Sequence, residues 1–194
     1  MYRIIRLAFY TFLLIITVFF LKRLNNTGAK ISLIAVSSLV LTLFSAFPIE
    51  NCFYSFDSSE AVFQYGYNGP ATLDCVVPGQ NSDLIFGSRA GEELVMFAPK
   101  SESGWKIGIG LFTKSESVIA GDGIFMTMYS YQGTADTFVV ITFYGDHPIV
   151  PTDEYGSVFY KIHPDNEGKY SSYCAYIPAA IENYKWESGP TPVP

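Results

Sequence analysis

The sequence predicts a two-helix transmembrane hairpin followed by a mainly-β (α+β) domain, with about eight antiparallel strands in two meanders and one short leading helix. Three observations carry that expectation. Two long apolar runs lie within the first 49 residues, every acidic residue falls after them, and the later chain alternates short apolar stretches with tight-turn residues.

The first run, residues 4–21, contains one charge, Arg6, close enough to its start to snorkel to the headgroups. The second, residues 31–47, has no charge and ends at Pro48. A span needs about 20 apolar residues and tolerates about 17, so both are short but sufficient. Helices apolar on every face belong mainly in membranes, which disfavours a buried pair in a soluble protein. Neither run ends in a small-x-small cleavage pattern, and no lipid-attachment pattern precedes Cys52, so both are expected to be retained. No ionisable residue lies in the middle of either span, which removes any support for a transport path.

Charge orients the hairpin. Its tip carries Lys22, Arg23 and Lys30, against Arg3 and Arg6 on the other side. That margin leans toward a cytoplasmic tip. The 1–49 segment holds five basic and no acidic residues, whereas 50–194 holds seven basic against eighteen acidic, a net of −11. A segment so acidic repels nucleic acid and anionic headgroups. It is also rich in tyrosine, poor in lysine and holds all three cysteines, a pattern more usual outside the cytosol. The expected location is the cell membrane, with two spans and residues 50–187 outside as one β-rich domain. Ala35, Ser38, Thr42 and Ser45 fall along one helical face, a seam of small residues for close approach of a helix. The first span is the nearest partner, and another protein or a second copy is the alternative.

Within the domain, "FDSSEAVFQYG" (56–66) opens with a helix signal, Asp57 as cap, Glu60 three residues on and Gly66 as stop. Strands follow Pro70. The strongest pattern is Trp105-Ile107-Ile109-Leu111, alternating with Lys106, Gly108 and Gly110, which predicts a half-buried strand with Trp105, Ile107 and Ile109 turned inward. Runs at 84–86 and 94–98 flank Gly87–Gly91, runs at 124–131 and 138–144 flank Gln132–Ala135, and runs at 158–162 and 170–177 flank Pro164–Gly168. By adjacency they form two groups of four. Residues 188–194, rich in proline, cannot continue a ladder and are expected to be a disordered tail.

Chemistry-bearing residues are sparse. His147 and His163 both precede proline, and Asp146, His147, Asp153 and Glu154 share a loop without recognised ligand spacing, so no metal is expected. "PDNEGK" (164–169) lacks the alternating oxygen ligands of a calcium loop. No Gly-x-Ser-x-Gly elbow or phosphate-binding glycine loop is present, so neither an enzyme nor a cofactor is expected. Cys52, Cys75 and Cys174 allow three single disulfides. Cys52–Cys75 is preferred, because the leading helix and the return through Pro70 bring the two together. On 124–131, Phe125, Thr127, Tyr129 and Tyr131 share one face and Ile124, Met126 and Met128 the other. One face is expected to be core. Tyr129 and Tyr131 are candidate contacts for a protein or glycan partner, Tyr131 the better placed beside its turn; the competing role is cross-strand pairing within the sheet. These observations imply a binding module held at the lipid bilayer, with an accessory subunit of a larger membrane complex, or a tethered hydrolase built on the acidic loop, as the alternatives.

Overall fold

The computed structural model describes residues 2–67, 70–121, 123–145, 150–162, 170–177 and 186–188. The chain divides into two compact units, Met1–Tyr54 and Ser55–Pro194.

The first unit holds α1 (Tyr2–Arg23), α2 (Thr27–Ala46) and a 3-10 turn at Ile49–Cys52. Asn26 sets the start of α2: its side-chain oxygen accepts the Gly28 and Ala29 amides at 2.8 and 3.4 Å, two of the donors a helix start leaves unmet. The helices meet through the Phe9 and Phe44 rings, edge-on at 4.7 Å, and through the buried hydroxyls of Thr17 and Ser37, 2.9 Å apart. Thr17 Oγ1 also donates to the Leu13 carbonyl at 2.8 Å. The predicted seam is not this interface. Ala35, Ser38 and Thr42 are exposed on the far side of α2, because Leu33, Ser37, Val40 and Phe44, the spacing closer to 3.6, turn toward α1. Arg6 does not need to snorkel, since its guanidinium contacts the Glu50 carboxylate at 2.9 Å and Glu50 is fully buried.

Among the described residues one helical segment, Thr27–Phe44, is long and apolar enough to cross a membrane. The expected pair of spans is therefore met by one. The charges of α1, Arg6 near its start and Lys22 and Arg23 in its last turn, shorten its clean apolar stretch.

The second unit is mainly β, with two antiparallel sheets and a leading helix, α3 (Ser59–Gly66). Ser58, not Asp57, caps that helix, accepting the Ala61 amide at 3.2 Å. The first sheet is the expected meander: β1 (Thr72–Pro78), β2 (Ser82–Arg89), β3 (Glu92–Ser101) and β4 (Gly104–Trp105), in that order. Ala90 and Gly91, both at positive φ, close the β2–β3 hairpin in two residues, tighter than the five-residue turn the sequence implied. Val62 and Phe63 of α3 are buried, and Phe63 lies where a Cβ on Gly87 of β2 would stand.

The strand expected at 105–111 is cut short. β4 stops at Trp105, although Lys106 and Gly108 still donate to the Pro99 and Phe97 carbonyls at 2.8 and 3.1 Å. Pro99 has no N–H to return the bond, so half of that rung is missing. Ile107 is buried as expected and Trp105 and Ile109 are half-buried, but Leu111, in a 3-10 turn, is 72% exposed.

The second sheet runs β5 (Thr113–Gly121), β6 (Ile124–Tyr131), β7 (Thr137–Tyr144), β10 (Tyr170–Ile177), β9 (Phe159–Ile162) and departs from a four-strand meander in two ways. An unpredicted strand, β5, pairs along β6. Next to β7 comes β10, with β9 outside it. The chain between β7 and β9 carries β8 (Pro151–Asp153), which pairs instead with β11 (Trp186–Ser188). β11 falls partly within the tail expected from residue 188, and residues 189–194 lie outside the described part.

The two sheets pack face to face over Val77, Leu84, Phe86 and Phe97 from the first and Phe138, Val140, Ile162 and Cys174 from the second. The second sheet also buries its other face, through Val139, Ile141, Phe143, Tyr173 and Ile177. Two buried carboxylates brace the structure. Asp136 accepts from the Asn81 amide (2.7 Å), Ser82 Oγ (2.9 Å), the Tyr176 hydroxyl (3.1 Å) and Asn81 Nδ2 (3.2 Å), tying the β1–β2 turn to β10. Asp83 takes the Trp105 indole N–H at 2.8 Å and the Lys100 ammonium at 2.9 Å.

Candidate functional site

Strict alternation on β6 places Phe125, Thr127, Tyr129 and Tyr131 on the face that meets the first sheet. Tyr131 is 7% exposed, its ring 5.3 Å from that of Phe97, and its hydroxyl accepts the Ile109 amide at 3.0 Å. Tyr129 lies edge-on to Phe86 and packs against the same core. Burial raises the pKa of both phenols; Glu93 adds to the effect at Tyr129, and the Ile109 amide opposes it at Tyr131. Tyr131 is thus buried and Tyr129 half-buried. On the opposite face of β6, Met126 and Met128 pack against the second cluster.

The open aromatic surface lies further along the same face. Ile119 of β5, Phe125 of β6, Thr142 of β7 and Ser172 of β10 form one rung, and Tyr144 pairs with Tyr170 on the next. Phe125 is 41% and Tyr144 51% exposed, their rings edge-on at 5.3 Å, with Tyr170 5.9 Å beyond. The Thr142 and Ser172 hydroxyls bond each other at 2.9 Å beside the rings. Phe125 was legible as part of the β6 face; Tyr144 and Tyr170 belong to strands whose pairing had to be known first.

Among the described residues this ledge runs into a free sheet edge. Among those residues β5 has β6 on one side only, and it is exposed from Lys114 to Gly121, with Ile119 72% and Val118 half exposed. An edge strand presents unpaired amides and carbonyls in register for another strand. Lys114, Glu116 and the irregular pairing between Ile119 and Gly121 discourage indiscriminate pairing, but Val118-Ile119-Ala120 has no charge. The sequence concealed β5 because a strand exposed on both faces needs no hydrophobic alternation.

Other candidates separate. Cys52, Cys75 and Cys174 are all thiols in this structure, exposed, half-buried and buried in that order, and the expected partners Cys52 and Cys75 belong to different units. Asp153 turns one carboxylate oxygen onto the Tyr155 and Ser157 amides, closing its own loop. Asp146, His147, His163 and the 164–169 turn lie outside the described residues. Among the described residues no group of three or more His, Cys, Asp or Glu is placed to hold a metal ion. No family model matches the chain, and no curated protein or solved structure does so either.

Proposed function

We propose that the protein is a membrane-anchored interaction module whose external β domain takes an extended segment of a partner protein onto the β5 edge. The carrying observation is that edge: a nine-residue strand that has one neighbour among the described residues, running directly into the exposed Ile119, Phe125 and Tyr144 side chains. Main-chain pairing supplies affinity in strand addition, and neighbouring apolar side chains supply selectivity. A glycan stacked on the ledge alone is the competing ligand, favoured by the aromatic rings and adjoining hydroxyls.

Both helices serve as the anchor in this reading. Leu7, Phe12, Leu14 and Ile15 of α1, and Ile34 and Leu39 of α2, are all exposed, a surface that lipid rather than water accommodates. The Thr17–Ser37 contact joins the helices without an unmet polar group, and Glu50 neutralises Arg6 at the end of the bundle. The acidic, tyrosine-rich domain then lies outside and Asn26 in the cytoplasm. An accessory-subunit role draws on the outward Ala35, Ser38 and Thr42 face of α2, where Thr42 already donates to the Ser38 carbonyl.

Two experiments test these assignments. An impermeant thiol reagent on intact cells, with Cys52 replaced, should label a cysteine introduced at Ser188 and spare one at Asn26; the reverse result removes the domain from the outside. A photo-crosslinker at Ser117 should capture a protein that one at Glu102, on the β3–β4 turn, does not. Equal capture from the two positions would discard β5 as the contact.

A further inference from the structure

Cys75 and Cys174 belong to opposite sheets and face the same core. Cys75 pairs with Phe86, and Cys174 with Val140, both members of the cluster between the sheets. Cys75 packs at the margin of that cluster and Cys174 lies wholly inside it. Sheets packed face to face ordinarily stand about 10 Å apart, too far for a disulfide, which needs Cα atoms roughly 4.4–6.8 Å apart. Here β1 departs from the ordinary spacing. It brings Cα atoms within 8 Å of both β9 and β10, the two strands at the opposite margin of the second sheet. The irregular pairing between Leu73 and Cys75 bends β1 at this point.

We propose that Cys75 and Cys174 form a disulfide that staples the two sheets when the protein meets an oxidising environment. Most of the second unit, 98 of its 140 residues, lies between them in sequence, so the bond would close a long loop, the case in which a cross-link constrains the unfolded chain most. The proposal needs no assumption about which side of the membrane the domain occupies, only an oxidant of the low-molecular-weight disulfide class. The half-buried Cys75 thiolate attacks one sulfur of that reagent, forming a mixed disulfide and releasing one reduced thiol. The Cys174 thiolate then attacks Cys75 Sγ and expels the second thiol. Two protons leave the protein thiols, and the two electrons reduce the reagent disulfide to two thiols. Burial raises the pKa of both protein thiols, with Asp74 adding to it at Cys75 and Cys75 itself adding to it at Cys174. The exchange is therefore slow at neutral pH and speeds up as pH rises.

The test uses the reduced full-length protein in detergent, exposed in native buffer to excess oxidised glutathione and then denatured, alkylated, digested and weighed. The expected product has the Cys75 and Cys174 peptides linked, a loss of two hydrogens, and Cys52 outside the link. Its denaturation midpoint should lie above that of the reduced protein and fall back on reduction. Cys174→Ala should abolish both the link and the oxidation-dependent shift, while Cys52→Ala keeps both. A link that includes Cys52, two thiols still open to alkylation after prolonged exposure, or a Cys75–Cys174 link that forms in urea but not in native buffer would each overturn the proposal.

Discussion

Replacing Asp136 by alanine should be among the most damaging changes in the β domain, though the side chain is small and polar. Four donors converge on its two oxygens, and the residue is buried. The donors are not equally exposed to the loss. Asn81 is exposed and Tyr176 half-buried, so the Asn81 side-chain amide and the Tyr176 hydroxyl can turn to water. Ser82 is fully buried and the Asn81 backbone amide is fixed in the β1–β2 turn, so these two are stranded. A stranded buried donor costs about 1–3 kcal/mol, which gives roughly 2–6 kcal/mol for the pair. Rotation of the Ser82 hydroxyl and relief of the buried carboxylate favour a middle value, about 3–4 kcal/mol, a large part of a domain's usual 5–15 kcal/mol.

Urea unfolding of the full chain in detergent, followed by tryptophan fluorescence, measures the effect. Ser82→Ala removes one stranded donor in advance, so the double variant should lose about 1–2 kcal/mol less than the sum of the single losses. A loss below about 1 kcal/mol for Asp136→Ala, or strict additivity with Ser82→Ala, would show that the carboxylate does not hold the sheets together.

Trp105→Ala should cost about 2–4 kcal/mol, at the low end for a large aromatic because the ring is half-buried, and Trp105→Phe about 1–2 kcal/mol through the lost bond to Asp83, both read from the same unfolding curves. Ile119→Lys should move the midpoint by less than about 0.5 kcal/mol, since the side chain is largely exposed, yet abolish crosslinking from Ser117; unchanged capture would argue against strand addition. Stability of the reduced protein should be whole below the ordinary thiol and phenol values of 9.0 and 10.0 and fall as pH rises beyond them. Cys174, Cys75, Tyr129 and Tyr131 all have raised values in the folded protein, so the unfolded chain releases those protons first and is favoured at alkaline pH. A midpoint that is flat across that range would contradict the burial of these groups.

What the sequence disclosed follows from where each residue meets its partners. β6 and β10 match the expected 124–131 and 170–177 residue for residue, and the first sheet has the expected order. In each case the signal was local: alternation inside the strand and turn residues at its ends. The insertion of β10 between β7 and β9 was not legible, because adjacency in sequence argues for a hairpin and nothing within a strand names a distant neighbour. The seam on α2 is not the α1 contact for a related reason. Small residues mark where helices are able to approach, but Leu33, Ser37, Val40 and Phe44 offered a second face, and the choice between them was made by the Thr17 and Phe9 side chains of the other helix.

The same distinction separates the tyrosines that were expected to bind from the surface that is open. Tyr129 and Tyr131 looked like contact residues because tyrosine tolerates water, yet their rungs lie under Phe86 and Phe97 of the first sheet. Phe125 shares their face and their alternation but lies two rungs from Tyr129, where it is exposed. Residue type therefore did not separate the covered rings of one strand from the exposed one. Coverage by the opposite sheet decides which aromatic rings are structural and which can meet a partner, and that coverage is a property of the packed sheets. It ends part-way along β6: the rung of Thr127 has the core residue Val140 as its neighbour, while the next, Phe125 and Ile119, opens to solvent. A partner strand laid on β5 would meet this boundary midway, with polar Ser115 and Ser117 on one side of it and apolar Ile119 on the other. The segment it favours should accordingly be polar at one end and apolar at the other, a pattern readable in the sequence of whatever protein Ser117 captures.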